Sequence, residues 1–188
     1  MFDAISRWFR KRIITDEFIM KIIDKTLDEY LRQNYEICIV DELPQEIIDV
    51  QQNAQNMSGL DSQNVTAITS AFIDDVTDFD GIIFFSLSTI QRGLTEYGIF
   101  DGMEFVQAIV IHECRHADQF EFLRSRGGSE LIRRVMEDQK QVPYDLSIVE
   151  MDAYYYQFTG ESMDFESVFA EYLCQSEHHV GEEDDDRQ

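Results

Sequence analysis

Apolar positions recur at helical spacing from Glu17 to about Asn34. Phe18, Ile22, Ile23, Thr26, Leu27, Tyr30 and Leu31 form one stripe behind an N-cap at Thr15 or Asp16. The period then shortens to two. Tyr35–Val40 alternates and is rich in β-branched residues, which predicts a strand. Pro44 opens a short helix over Gln45–Asn53, and the Asn- and Gln-rich stretch 51–64 reads as helix end and loop. Val65–Ile73 and Gly81–Leu87 are two further strands, and the turn chemistry of Asp74–Gly81 between them predicts a hairpin. Ser88–Tyr97 is helical and stops at Gly98. The longest helical pattern runs from Met103 to about Ser125, capped by Asp101 or Gly102 and ended by Gly127-Gly128. Helices follow over Ser129–Gln139, from Pro143 to about Tyr156 with a stop near Gly160, and over Phe165–Ser176. A short basic helix over 3–12 precedes them all. Helix, then three strands, then helices is the order of an α+β fold with a small mixed or antiparallel sheet.

Composition narrows this picture. At 188 residues with 44% apolar side chains, the chain holds enough for one core, so we expect one domain over 1–180. Gly181–Gln188 is an acidic run with nothing to bury and reads as a disordered tail. The net charge of −23 repels phosphate backbones, which argues against nucleic acid as a partner. No run approaches the ~20 apolar residues of a transmembrane helix, and the basic N-terminus is not followed by the apolar core of a signal peptide. A cytoplasmic location is therefore expected. The amphipathic segment Phe2–Ile14 reads as an ordinary first helix rather than a membrane anchor. Three widely separated cysteines, Cys38, Cys114 and Cys174, do not make a disulfide framework. Asp74, Asp75, Asp78 and Asp80 lack the closing bidentate glutamate of a calcium loop and read as a solvated turn.

The longest helix carries the chemistry. It reads Val106-Gln107-Ala108-Ile109-Val110-Ile111-His112-Glu113-Cys114-Arg115-His116. Residues four apart lie one above the other on a helix, so His112 and His116 project together with Glu113 beside them. Two neutral imidazoles so placed can share one Zn²⁺, and the adjacent carboxylate can take a proton from a water there. Cys114 is offset from both histidines and is expected to face the core.

A catalytic zinc takes three protein ligands and leaves a position open. The residues after His116, Ala117-Asp118-Gln119-Phe120-Glu121-Phe122, lack the glycine and third histidine of a metzincin. His178 and His179 adjoin the acidic tail and have no rigid flank. Glu150 is the favoured third ligand, since Ala153 one turn on lets its helix approach the motif helix closely. Glu137 and Asp145 are its competitors.

His112-Glu113-Cys114-Arg115-His116 followed by Glu150-x-x-Ala153 resembles the gluzincin branch of zinc metallopeptidases, in particular compact minimal members found in bacteria and phages. The resemblance covers about residues 80–160. It implies a zincin-like fold with Zn²⁺ on His112, His116 and Glu150. It also implies a strand beside the motif helix, for which Gly81–Leu87 is the candidate, with an edge that pairs with extended substrate. Larger gluzincins carry an aspartate four residues after the ligand glutamate; here that position is Tyr154. Asp118, Asp145 and Asp152 are left as candidate acceptors for the outer histidine nitrogens.

The expected activity is hydrolysis of a peptide bond in a peptide or protein substrate. Glu113 serves as general base and then returns the proton to the leaving amine. One of Tyr154, Tyr155 and Tyr156, with Tyr154 taken first, is the candidate to stabilise the oxyanion. Two other classes compete: a non-catalytic zincin-like binding module, which has no need of Glu113, and an acidic nucleic-acid mimic that binds a basic partner.

Overall fold

The first apolar stripe does not run unbroken. The computed structural model describes residues 15–49, 65–72, 78–96 and 102–179, without the side chains at 96, 145 and 175–179. In it, helix α1 (Asp16–Thr26), capped by the Thr15 hydroxyl, gives way at Leu27 to an extended backbone. Asp28 then caps a second helix, α2 (Glu29–Asn34), by accepting from the Tyr30 amide at 2.7 Å. The single helix expected over Glu17–Asn34 is therefore two, because an aspartate that bonds the backbone just ahead of it competes with helix continuation.

Three strands follow: β1 (Tyr35–Val40), β2 (Ala67–Ala71) and β3 (Gly81–Ser86). The predicted hairpin is present, with β2 antiparallel to β3 and Ala71 opposite Gly81. β1 joins the other side of β3 in parallel, so the sheet is mixed, in the order β1-β3-β2. This corrects one expectation. The Gly81–Leu87 strand is central, with both edges taken, and has none to offer substrate. Its unbroken apolar run Ile82-Ile83-Phe84-Phe85 suits a strand covered on both faces. Among the described residues β1 and β2 are the two outer strands, and β2 is the one that meets the motif helix through Thr69.

One face of the sheet, carrying Ala67, Ile83, Phe85, Ile37 and Ile39, packs with Ile19, Ile23, Val106 and Val110. The other, with Ile68 and Phe84, packs on Leu43 and Ile48 from the segment after β1, where residues 45–49 are helical. Helix α3 (Leu87–Glu96) leads on to α4 (Gly102–Gln139), which is two helices joined at Gly127 and Gly128. Gly128 sits at φ 63, a conformation other residues adopt only with strain. A 3₁₀ turn (Tyr144–Leu146) precedes α5 (Ile148–Thr159), which Gly160 closes at φ 68. The last predicted helix is divided at the buried Phe169 into α6 (Phe165–Val168) and α7 (Ala170–His179). Phe169 joins Phe120, Leu123 and Val149 in a second core under the C-terminal half of α4.

The expected helix over 3–12, the loop over 51–64, Asp74 and Asp75, the stop at Gly98, the cap at Asp101, and the tail 181–188 lie outside the described residues. Among those described, no helix is long and apolar enough to cross a membrane.

Candidate metal centre

The site forms where α5 crosses the first half of α4 beside the outer edge of β2. Ala153 is fully buried at that crossing, as its small side chain predicts. Here His112 and His116 meet Glu150, and all three are buried. The two Nε2 atoms lie 3.1 Å apart. Glu150 Oε2 is 3.3 Å from His112 Nε2, and Oε1 is 3.5 Å from His116 Nε2. Ligands at 2.0–2.1 Å around a tetrahedral ion stand about 3.3–3.4 Å apart, close to the separation of the two Nε2 atoms and of each from its nearer Glu150 oxygen.

A buried network fixes which nitrogen of His116 faces this cluster. Gln119 Nε2 donates to Val149 O at 2.9 Å and to Asp152 Oδ2 at 2.7 Å, and both partners only accept. The Gln119 amide is thereby oriented with Oε1 toward His116 Nδ1, 3.0 Å away. His116 Nδ1 must then carry the proton, which leaves the Nε2 lone pair for the cluster. Asp152 also takes a fork from Arg115, at 2.7 Å from Nε and 2.9 Å from Nη2. The guanidinium lies 3.8 Å from the Phe165 ring centre and donates to Ser162 Oγ and Met163 O. His112 has no such support. Its Nδ1 is buried without a hydrogen-bond partner among the described residues, and its ring rests against Tyr154 with centroids 4.6 Å apart.

Glu113, buried beside the histidines, is held from the sheet. The Thr69 hydroxyl of β2 lies 2.7 Å from Glu113 Oε2 and 3.1 Å from its backbone oxygen. Burial pushes the Glu113 carboxyl above its usual range, against the opposing pull of His116, His112 and Thr69. Glu150 is shifted the other way. Burial acts to raise it, but His116, His112 and the Tyr144 hydroxyl hold it well below the ordinary carboxylate range. Burial alone would lower His116, yet Glu150, Glu113 and Gln119 raise it to about 9. Two buried carboxylates thus call for positive charge between them, which a divalent cation satisfies as well as an imidazolium does. The donor set and its spacing fit Zn²⁺.

A cleft of about 320 Å³ opens over the cluster, between residues 65–69 on one side and Tyr144 and Tyr154 on the other. Of the three adjacent tyrosines, Tyr154 alone lines it. Tyr155 is exposed and bonded to Glu161, and Tyr156 lies against Arg115. Glu137, a competitor for the third ligand position, is exposed on the outside of α4. The side chains of Asp145, His178 and His179 lie outside the described residues. Asp118 is exposed, and Asp152 reaches His116 only through Gln119. Cys114 packs against the core, and burial, with Asp118 and Glu113, pushes its thiol up to about 12.

Gln119, Arg115, Thr69 and Tyr144 are contributors that the motif search passed over. Gln119 was within reach of helical spacing, three residues after His116 on the same face. Arg115, inside the motif, betrayed nothing of its buried partner. Thr69 is one hydroxyl in a strand, and Tyr144 precedes its helix, so neither carried a local signal. No protein-family model, curated protein or solved structure matches the chain.

Proposed function

We propose that the chain is a zinc-dependent metallopeptidase of the gluzincin type on a zincin-like fold, with His112, His116 and Glu150 as ligands and Glu113 as general base. The observation that carries this reading is the zinc-like spacing of three buried donors with a sheet-anchored glutamate directly beside them. Bound there, Zn²⁺ supplies Lewis acidity and brings the pKa of a water near 7.

The chain's own groups do the rest. Thr69 occupies Glu113 Oε2, so Oε1 is the oxygen that accepts the water's proton and passes it to the departing amine. Burial raises the Glu113 carboxyl, which makes it a stronger proton acceptor than a solvated glutamate. Tyr154 lines the cleft, where a donor is needed as the carbonyl oxygen gains charge, while the Tyr144 hydroxyl beside it is engaged by Glu150. β2 is an outer strand. The Phe72 amide bonds Asp80 O and Ser86 N bonds Thr66 O across the hairpin. By alternation, Ala67, Thr69 and Ala71 turn their backbone groups outward, and an extended substrate pairs there.

The test combines metal analysis with mutagenesis. Purified protein binds zinc stoichiometrically and cleaves peptides from an unbiased library, and chelation stops the reaction. Glu113→Gln retains zinc while turnover drops by about three orders of magnitude. His112→Ala and His116→Ala each lose the metal. Retained hydrolysis in Glu113→Gln would overturn the assigned base. Zinc-bound protein that cleaves nothing would leave a binding module.

A further inference from the structure

A peptidase cleft either captures a chain end or lets the chain pass through it, and capturing an end requires a counter-charge at a fixed place. This cleft has none. Among the described residues no lysine or arginine lines it, and its two acids, Glu113 and Glu150, are both turned to the histidine cluster. The sequence extends the point. No lysine or arginine occurs from Gln33 to Gln91, or from Gly93 to Cys114, which spans all three strands and the motif helix up to the site. The first cation after that, Arg115, is locked on Asp152 with its guanidinium buried. Among the described lining residues a terminal carboxylate finds no cation, and a terminal amine no uncommitted acid.

Ile109, Phe120, Met136 and Val149 form an apolar part of the lining, beside the polar Thr66, Thr69, Tyr144, Tyr154 and Gln157. Behind β2, on the sheet face turned away from α4, Asp41, Glu42, Glu46 and Asp49 are exposed on the segment whose Leu43 and Ile48 pack against Ile68. They sit in the field of a chain whose net charge is −23. An acidic polypeptide would be repelled along the strand it must pair with, and a cationic one drawn in.

We propose that the cleft acts on an interior bond of a cationic polypeptide, with an apolar side chain seated beside the bond that is cut. This rests on the peptidase reading and names its substrate class.

The experiment uses the full chain loaded with zinc and matched peptides with an apolar centre, flanked on both sides by lysines, by glutamates or by uncharged residues. Each peptide is made with free and with blocked ends. The lysine-flanked peptide is expected to show kcat/KM at least about 10-fold above the glutamate-flanked one at low salt. The ratio narrows as ionic strength rises to about 0.5 M. Blocking the ends changes either rate by less than about twofold. The double variant Glu42→Lys with Glu46→Lys lowers the lysine-to-glutamate ratio by about threefold and leaves the uncharged peptide unaffected.

A requirement for a free end, equal rates for both charged peptides, or a preference for glutamate would overturn the proposal. If no peptide is cut, anisotropy of the labelled peptides separates the two ideas. Binding of the lysine-flanked peptide at least about 10-fold tighter sustains the cationic cleft and removes the peptidase; equal binding removes both.

Discussion

His116 and His112 leave the same helix one turn apart, yet their outer nitrogens meet opposite surroundings. Behind His116 stands a chain of buried polar groups, Gln119, Asp152 and Arg115, each with its bonds satisfied and the last tied to Ser162 and Met163. Behind His112 there is an unpartnered Nδ1 and the face of Tyr154. One ligand is oriented by hydrogen bonds and the other by packing. The difference follows from where α5 crosses: Asp152 lies on its inner side, fully buried against Gln119, while Tyr154 stands at the rim of the cleft. Under the metal reading proposed above, the His116 side would give the ion a reference fixed by hydrogen bonds, and the His112 side one held by packing alone.

Four substitutions bear on this contrast. The largest effect belongs to Asp152→Ala, which strands the buried Arg115 guanidinium and releases Gln119. Unfolding should become easier by about 3–5 kcal/mol, read by denaturant titration. A loss below about 1 kcal/mol would mean that the network is not what stiffens the His116 side. Gln119→Leu should weaken zinc binding by about 10–100-fold in competition with a chelator, because the imidazole loses the acceptor that sets its tautomer. Unchanged affinity would show that packing orients both histidines alike. Thr69→Val frees Glu113 Oε2 while keeping the side chain's shape. Stability should fall by about 1 kcal/mol and turnover by about tenfold, with zinc content unaltered. Tyr154→Phe is the smallest: the ring stays on His112, so zinc affinity should move by less than about twofold. A loss as large as that of Gln119→Leu would erase the contrast.

Much of this architecture was readable before any coordinates. β1 begins and ends where alternation places it, and β2 pairs antiparallel with β3 as expected. The glycine pair 127–128 interrupts α4 where the helical pattern stops. The misreadings share a cause. Apolar periodicity continued through Leu27 and Asp28, but the carboxylate of Asp28 serves the next helix instead. The resemblance makes Gly81–Leu87 the candidate strand beside the motif helix, whereas its strong apolarity marks a strand buried between neighbours, and the modest Ala67-Ile68-Thr69-Ser70-Ala71 stands at an edge. In the site, sequence spacing brought His112, Glu113 and His116 together and favoured Glu150 on the strength of Ala153.

The sequence by itself determined which residues of the motif share one helix face. The histidines share a face because the helical repeat puts positions four apart on the same side, whatever the helix packs against. Only the tertiary structure decided that Glu150 closes the cluster while Glu137 faces away, that β2 rather than β3 brings Thr69 to Glu113, and that Gln119 stands between His116 and Asp152. These pairings join residues roughly thirty or more positions apart. They depend on the crossing of α5 over α4 and on strand order, and those are set by how whole faces pack, not by any local pattern.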